Sequence, residues 1–325
     1  MLRDIYALQR LTSTRISKEL AVDVRSVTAL FRSLRRAGIY VKPDIDIKSL
    51  GIVHQMIIIN GYVPIIDKLR SKSINPFIKS VLYIYPKTTI LVFKNKICEE
   101  LPYESYCIES IVRSRPEPRL LFLASRGKYK ELLTMKFSDP LMIPLAKKTR
   151  LDWVDLEILR ITSKTPEIKL RNLASTIGVK VRTILHHISH AESAITGYRV
   201  SKISRLMKDS GIIYFIIISC SEPTGICSHV IRHPFVLGCA YTRKKEAVIQ
   251  VSLPPAVAPR FIVLLKDSLQ DCTIEKIYTG SLKSLYVSTE GSRATGEYSS
   301  MEGWLSPSIE DLIKKLIAEG VLVKI

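Results

Sequence analysis

Apolar and polar positions follow two different periods along this chain, and the changes of period divide it into stretches. From 152 to 191 the apolar residues recur every three or four positions. Leu156, Ile158 and Leu159 form one stripe, which Ser163 to Pro166 break. Leu170 to Val179 form a second amphipathic stripe with Gly178 at its end, and a third opens at Lys180, Val181, Arg182 and Thr183 and runs through Ile184 and Ile188 to about Ala191. Asp152 or Asp155 falls in the first turn of the first helix, where a carboxylate meets the positive end of the dipole. A glycine after the last periodic residue ends the second. Helix, Gly-containing turn, helix is the helix-turn-helix arrangement.

Other stretches lose the helical period. Gly51 to Asn60 and Gly211 to Cys220 are dense in Ile and read as buried strands. A helix is expected after each, over Val63 to Ser71 and near Ile226 to Arg232. Paired strands follow: Val81 to Tyr85 with Thr89 to Phe93, and Leu237 to Tyr241 with Ala247 to Leu253. Pro259 to Leu269 reads as a further helix and Thr273 to Tyr278 as a last strand, so the order is βαββαβ, a ferredoxin-like order. Leu120 to Ala124 is expected to be a strand followed by a basic connector. Ser306 as N-cap, Pro307 at the first position, the stripe Ile309, Leu312, Ile313, Leu316, Ile317 and Gly320 past the end predict a last amphipathic helix.

The chain also repeats itself. Asp4-Ile5-Tyr6-Ala7-Leu8 matches Asp155-Leu156-Glu157-Ile158-Leu159, and Leu20-Ala21 matches Leu173-Ala174. Asn75-Pro76-Phe77-Ile78 matches His233-Pro234-Phe235-Val236, and Ile108-Glu109-Ser110-Ile111 matches Ile274-Glu275-Lys276-Ile277. These collinear matches predict a unit of about 150 residues present twice, in line with the one to two hundred residues of a usual domain. The expected boundaries are a winged helix-turn-helix over 1–45, a ferredoxin-like domain over 50–125, a linker over 126–149, a second winged helix-turn-helix over 150–203, a second ferredoxin-like domain over 208–290, and an extension over 291–325. The fold class expected is therefore α+β, two tandem units of that plan.

Charge sharpens the picture. The 325 residues carry 49 Lys+Arg against 30 Asp+Glu, a net +19. The excess is uneven: residues 1–150 hold 27 basic and 13 acidic side chains, residues 151–325 hold 22 and 17, and residues 1–42 hold nine against three. A folded basic face attracts polyphosphate, and nucleic acid is its usual partner. Arg25, Ser26, Thr28, Arg32, Arg35 and Arg36 lie on or beside the first recognition helix. Lys180, Arg182 and Thr183, followed by His186, His187 and His190, lie on the second. Arg bonds guanine bidentately and both Arg and Lys neutralise phosphate. The alternative is a solvated basic surface.

In these motifs the sequence resembles the leucine-responsive regulatory protein (Lrp/AsnC) family of prokaryotic regulators. Asp155, Ile158-Leu159, Leu173-Ala174, Gly178-Val179, Thr183-Ile184 and Gly197-Tyr198 stand in the family's order. Ala191-Glu192-Ser193-Ala194-Ile195 replaces its Leu-x-x-x-Gly exit. The first unit keeps Ser26-Val27, Phe31, Leu34 and Gly38-Ile39 but is about four residues short between Ala21 and Ser26. The resemblance implies duplex-DNA binding, a ferredoxin-like (RAM/ACT-like) sensing and pairing domain in each unit, and, in a duplicated chain, a pseudo-dimer within one molecule, with a homodimer as the alternative. A small-molecule effector is part of that implication, although Gly238-Cys239-Ala240-Tyr241 is the nearest approach to the family's sensing turn. The layout also resembles the sirohaem decarboxylases, through His233 and Tyr241-Thr242-Arg243, while the first half offers Tyr83-Ile84-Tyr85 there. A third reading is a chromatin-type protein coating DNA without sequence preference.

Catalysis has little support in the motifs. There is no P-loop, GxGxxG or GxSxG, and His186 and His190 lack the carboxylate of an HExxH pair. Cys220, Cys227, His229, His233 and Cys239 have intervals unlike the short pairs of a zinc site. The expectation is no enzyme, no cofactor and no metal. Six Cys without a CxxC pair predict free thiols in a reducing cytosol, four Gln and four Asn suggest a thermophile, and the opening Met1-Leu2-Arg3-Asp4 lacks an apolar signal core. No apolar run reaches the ~20 residues of a membrane span. A cytoplasmic, nucleoid-associated protein is expected.

Overall fold

A computed structural model of the chain describes residues 17–18, 23–36, 40–46, 53–62, 78–84, 88–95, 97–134, 137, 140, 151–165, 168–201, 212–269, 271–281, 285–287, 308–319 and 322–324. The protein is α+β with antiparallel sheets. The expected helix over Val63 to Ser71 and the motifs around Asp4, Leu20 and Gly38 lie outside the described residues.

Near the start, helix α1 spans Val24–Arg36 and leads to strand β1, Tyr40–Ile45. Strands β2 (Val53–Tyr62), β3 (Ile78–Ile84), β4 (Thr88–Asn95) and β5 (Glu104–Arg113) follow. Short helices α2 (Pro118–Ser125) and α3 (Tyr129–Thr134) come next. Helices α4 (Trp153–Lys164), α5 (Leu170–Ile177) and α6 (Val181–Glu192) then form a three-helix cluster, closed by strand β6, Ile195–Ser201. In the second half the strands recur in the same sequence, with helices between them: β7 (Ile212–Cys220), α7 (Pro223–Val230), β8 (Val236–Thr242), β9 (Glu246–Leu253), α8 (Ala258–Ser268) and β10 (Cys272–Ser281). A short β11 (Leu285–Val287), helix α9 (Ile309–Ala318) and β12 (Val323–Lys324) complete it.

Each end of the cluster helices has a local cause. Asp152 caps α4 and accepts from the Asp155 backbone N–H, while the Asp155 carboxylate accepts from the Asp152 N–H, a reciprocal capping pair. Gly178 ends α5 at φ 80°, a left-handed conformation that glycine adopts without a Cβ clash. Val154, Ile158, Leu159, Leu173, Ala174, Ile184, Ile188 and Ala191 meet in one core, and Val27 of α1 joins it. The two halves also share a ribbon: β1 pairs antiparallel with β6, Tyr40 opposite Ser201 and Asp44 opposite Gly197. The described helix α1 and strand β1 of the first unit thus share a core and a ribbon with the three-helix cluster of the second.

The remaining strands build a single antiparallel sheet in the order β10-β7-β9-β8-β5-β2-β4-β3-β11. Within each half the four strands take the same order, fourth-first-third-second. The halves join where β5 pairs with β8, Ile111 opposite Ala240. At the other end β11, which follows β10 after three residues, pairs with β3, and β10 lies against β3. The sheet thus curls around a shared interior filled by Met56, Ile58, Leu82, Ile90, Val92 and Ile108 from one half and Ile213, Phe215, Ile217, Ala240 and Val248 from the other. Strands buried on both faces need unbroken apolar runs, which is why Met56 to Ile59 and Ile212 to Ile218 contain so few polar residues.

The outer faces are covered crosswise. Ile216, Ile218, Ile249 and Val251 of the second half pack under α7 and α8 and also under Leu120, Ala124 and Leu132 of α2 and α3, which follow the first half. Ile57, Ile59, Val81 and Leu91 of the first half pack under Ile309, Leu312, Ile313 and Leu316 of α9, which follows the second. Leu120 to Ala124 is therefore helix, with Pro118 preset for the first turn, and part of the expected linker 126–149 belongs to the second core. Among the described residues the first half has no counterpart of α8: β3 and β8 start 158 residues apart (Ile78, Val236), as do β4 and β9 (Thr88, Glu246), but β5 and β10 start 168 apart (Glu104, Cys272). Residues 96–103 are too few for the helix that the repeat predicts.

The cysteines are not free thiols. Cys98 is bonded to Cys107, Cys220 to Cys272 and Cys227 to Cys239. Each bridge joins elements that the sheet brings together, which local spacing does not reveal. No described helix is long and apolar enough to cross a membrane.

Candidate nucleic-acid interface

Helix α1 presents a basic surface. The Asp23 carboxylate accepts from the backbone N–H groups of Arg25 and Ser26, at 2.9 and 3.3 Å, and so caps its start. Arg25, Ser26, Thr28, Arg32 and Arg36 are all exposed, whereas Val27 is buried. Thr28 Oγ1 donates back to the Val24 carbonyl at 2.9 Å, so its hydroxyl is already engaged within the helix. Arg35 lies in α1; its side chain falls outside the described residues. None of Arg25, Arg32 and Arg36 has an ion-pair partner among the described residues.

Helix α6 starts at Lys180, its N-cap residue, and exposes Lys180, Val181, Arg182, Leu185 and His186, with Thr183 half-buried. Leu185 is 54% exposed and Val181 38%, so the face mixes apolar and basic groups. Ile184, Ile188 and Ala191 hold the opposite side in the core. His186 meets His187 edge to face, their ring centroids 5.3 Å apart. His187 turns away from the exposed face: its Nδ1 lies 3.1 Å from Asp155 Oδ1 and 3.3 Å from Asp152 Oδ2. His190 Nδ1 lies 2.6 Å from Asp155 Oδ2. Asp155 is fully buried, and these two imidazoles with the capping N–H use its oxygens. One donor atom each from Asp152, Asp155 and His187 lies within 4.8 Å of the others; the capping pair accounts for that gathering. The carboxylate that orients His187 and His190 is the same one that starts α4, a link visible in the sequence only as an Asp-led helix.

A second polar site lies at one end of the curled sheet, in a cleft of about 610 Å³ lined by Glu104, Tyr106, Thr242, Arg243, Lys244, Glu246, Lys276 and the Cys98–Cys107 bridge. Glu104 accepts from Lys276 Nζ at 2.8 Å and from the Tyr106 hydroxyl at 2.5 Å, with Tyr278 at 3.4 Å. Burial pushes the Glu104 carboxyl up, but the bonds from Lys276, Tyr106 and Tyr278 outweigh it and hold the group below its ordinary range. Burial and the Glu104 carboxylate push the Tyr106 phenol upward. The cluster is a satisfied ionic network that joins β5 to β10.

The other residues singled out in the sequence are dispersed. His233 is buried among Phe137, Phe235 and Phe261, with ring centroids 5.5, 5.1 and 5.1 Å away, and burial pulls its pKa down to about 3. Tyr241 packs on the second core, Thr242 Oγ1 donates to Glu246 at 3.0 Å, and Arg243 pairs with Glu109 at 3.4 Å on the surface. Cys220, Cys227 and Cys239 are disulfide-bonded and hold no thiolate for a metal. Compared with known proteins, the chain matches no family model and no curated protein.

Proposed function

We propose that this protein is a regulator that binds duplex DNA through α1 and α6 as recognition helices, two winged helix-turn-helix heads carried on two ferredoxin-like domains fused into one pseudo-dimeric body. One observation carries the reading: α1 exposes Arg25, Arg32 and Arg36 without ion-pair partners among the described residues, beside Ser26 on the same helix. Uncompensated guanidinium groups on a helix of groove-sized diameter suit phosphate and base-edge contacts. The second support is pairing. The β1–β6 ribbon ties α1 and α6 to one body, as two heads reading neighbouring half-sites require. On this reading α6 contributes Lys180, Arg182, Thr183 and His186, and its exposed Val181 and Leu185 suit apolar contact with thymine methyl groups.

The test is a DNA titration at two salt concentrations with the wild type, Arg32→Ala/Arg36→Ala and Lys180→Ala/Arg182→Ala. For every phosphate that a substitution leaves unneutralised, the slope of log K against log salt should flatten by about 0.9. Weaker binding by the first pair together with a flatter slope supports α1 as the main reader. Absence of wild-type binding at about 0.1 M salt overturns the proposal, since specific complexes at physiological salt are nanomolar or tighter.

A further inference from the structure

Three arginines, of which Arg115 is buried and Arg113 and Arg199 are partly exposed, converge where the β1–β6 ribbon meets the sheet. Arg113 ends β5 and Arg115 follows it; Arg199 comes from β6 and Asp44 from β1. Arg115 is 1% exposed. Its Nη2 donates to Asp44 Oδ2 at 3.1 Å and to the Thr196 carbonyl at 3.3 Å, which leaves its Nε and Nη1 buried without a partner. Arg199 Nε stands 3.9 Å from Asp44 Oδ1, and it too is buried without a hydrogen bond. Arg113 lies across the seam over Gly238, where a Cβ would come within 3.9 Å of its Cδ and Nη1. Burial, with Arg199 close by, pulls its pKa down to about 10, against the pull of Asp44.

Two guanidinium groups therefore share one carboxylate, and a third, that of Arg113, stands within its electrostatic reach. Buried charge without a partner is expensive, and an arginine fork is geometrically matched to a carboxylate or phosphate. The backbone holds the arrangement rigidly: the N–H groups of Ser114, Arg115 and Glu117 donate to the carbonyls of Leu237, Ile231 and Arg232 at 3.2, 2.9 and 2.9 Å. The neighbouring Arg232 has its own carboxylate, Glu117 at 3.6 Å, so the surplus is confined to the Arg113, Arg115 and Arg199 group. Counting one charge per group, the deficit is two negative charges.

We propose that this junction is a binding site for a compact dianionic oxyanion of the phosphate-monoester class, which completes the partnering of Arg113, Arg115 and Arg199 and clamps the helical heads to the sheet. The site is distinct from α1 and α6 and stands or falls apart from the DNA reading.

The experiment is thermal unfolding of the full chain in inorganic phosphate, succinate or chloride at matched ionic strength. Phosphate at a hundred-fold excess over its dissociation constant is expected to raise the Tm by several degrees over chloride. Arg113→Met and Arg199→Gln, each first shown to unfold cooperatively with native circular dichroism, should abolish that rise. Arg115→Met is the variant most exposed to misfolding, so the test does not depend on it. The triple variant Arg32→Ala/Arg36→Ala/Arg182→Ala should keep the rise in full. No phosphate effect beyond chloride in the wild type overturns the proposal. So does a rise retained by Arg113→Met and Arg199→Gln, or one missing in the triple variant, which would place the anion on the helical heads. A rise in succinate without one in phosphate overturns the assignment of ligand class.

Discussion

The two halves of the sheet have the same four-strand order but cover their outer faces by different means. In the second half, 18 residues between β9 and β10 hold α8, whose Phe261 and Leu265 seal Ile249 and Val251. In the first half, residues 96–103 give room only for a turn anchored by the Cys98–Cys107 bridge, and the matching apolar face is sealed by α9, more than two hundred residues further on. Glu99, in that short turn, receives the α9 helix: its carboxylate accepts from the Ile309 N–H at 2.8 and 3.0 Å. An apolar sheet face thus specifies that it be covered and leaves the source of the cover open. A helix missing from one repeat can be replaced from far along the chain if its stripe and its cap are in place.

The contrast between the halves is most vulnerable at α9. Leu316→Asp would put an unpaired charge into the first half's core and should abolish its cooperative unfolding, while Ile313→Ala should cost about 2–5 kcal/mol by denaturant titration. If α9 were an ornament, either change would fall within about 0.5 kcal/mol.

Disulfides come next. Removing Cys220–Cys272, which closes 52 residues, should cost about 4 kcal/mol, and removing Cys98–Cys107, which closes 9, about 2.5 by loop entropy. Melts of Cys→Ser pairs check that order, and equal losses would mean that the shorter bridge has a role in seating Glu99 beyond loop closure.

His233 gives the second half a pH dependence. Its pKa is 6.5 in an unfolded chain and about 3 in the fold, so the unfolded state binds the extra proton. Both states are neutral at this site above pH 6.5; stability then falls by up to about 1.4 kcal/mol per pH unit as the pH drops from there towards 3. His233→Phe, which keeps the aromatic packing, should flatten that limb. The smallest effect is expected at the α9 cap, where Ser308→Ala should cost about 1 kcal/mol, since Ser308 Oγ accepts from the Asp311 N–H at 3.4 Å while Glu99 still holds Ile309.

Much of this architecture is legible in the sequence. The stripes at Leu156–Leu159, Leu170–Gly178 and Val181–Ala191 coincide with α4, α5 and α6 because caps and a left-handed glycine are local chemistry. The Ile-rich runs coincide with β2 and β7 because strands buried on both faces leave little room for polar residues. The basic character of α1 is equally plain. The candidate site is only half legible: exposed Arg25, Arg32 and Arg36 stand on a helix with the expected spacing, but His187 belongs to Asp155. No spacing rule links an imidazole to a carboxylate 32 residues earlier.

For most elements helix or strand and the apolar face can be read from the residues alone, because those properties depend on neighbours within a few positions. The short apolar run Leu120 to Ala124, read as strand and folded as helix, is the exception, since so short a run has no distinctive period. The partner that each face found cannot be read that way. Folding placed β1 beside β6, β5 beside β8 and β11 beside β3, joined the six cysteines in pairs, and carried α2 and α9 across to opposite halves. It also gathered Arg115 and Arg199 around Asp44. The reason is that burial sets a free-energy demand without naming a donor: any segment with a matching stripe, reach and cap meets it, and chain connectivity and sheet closure select among them.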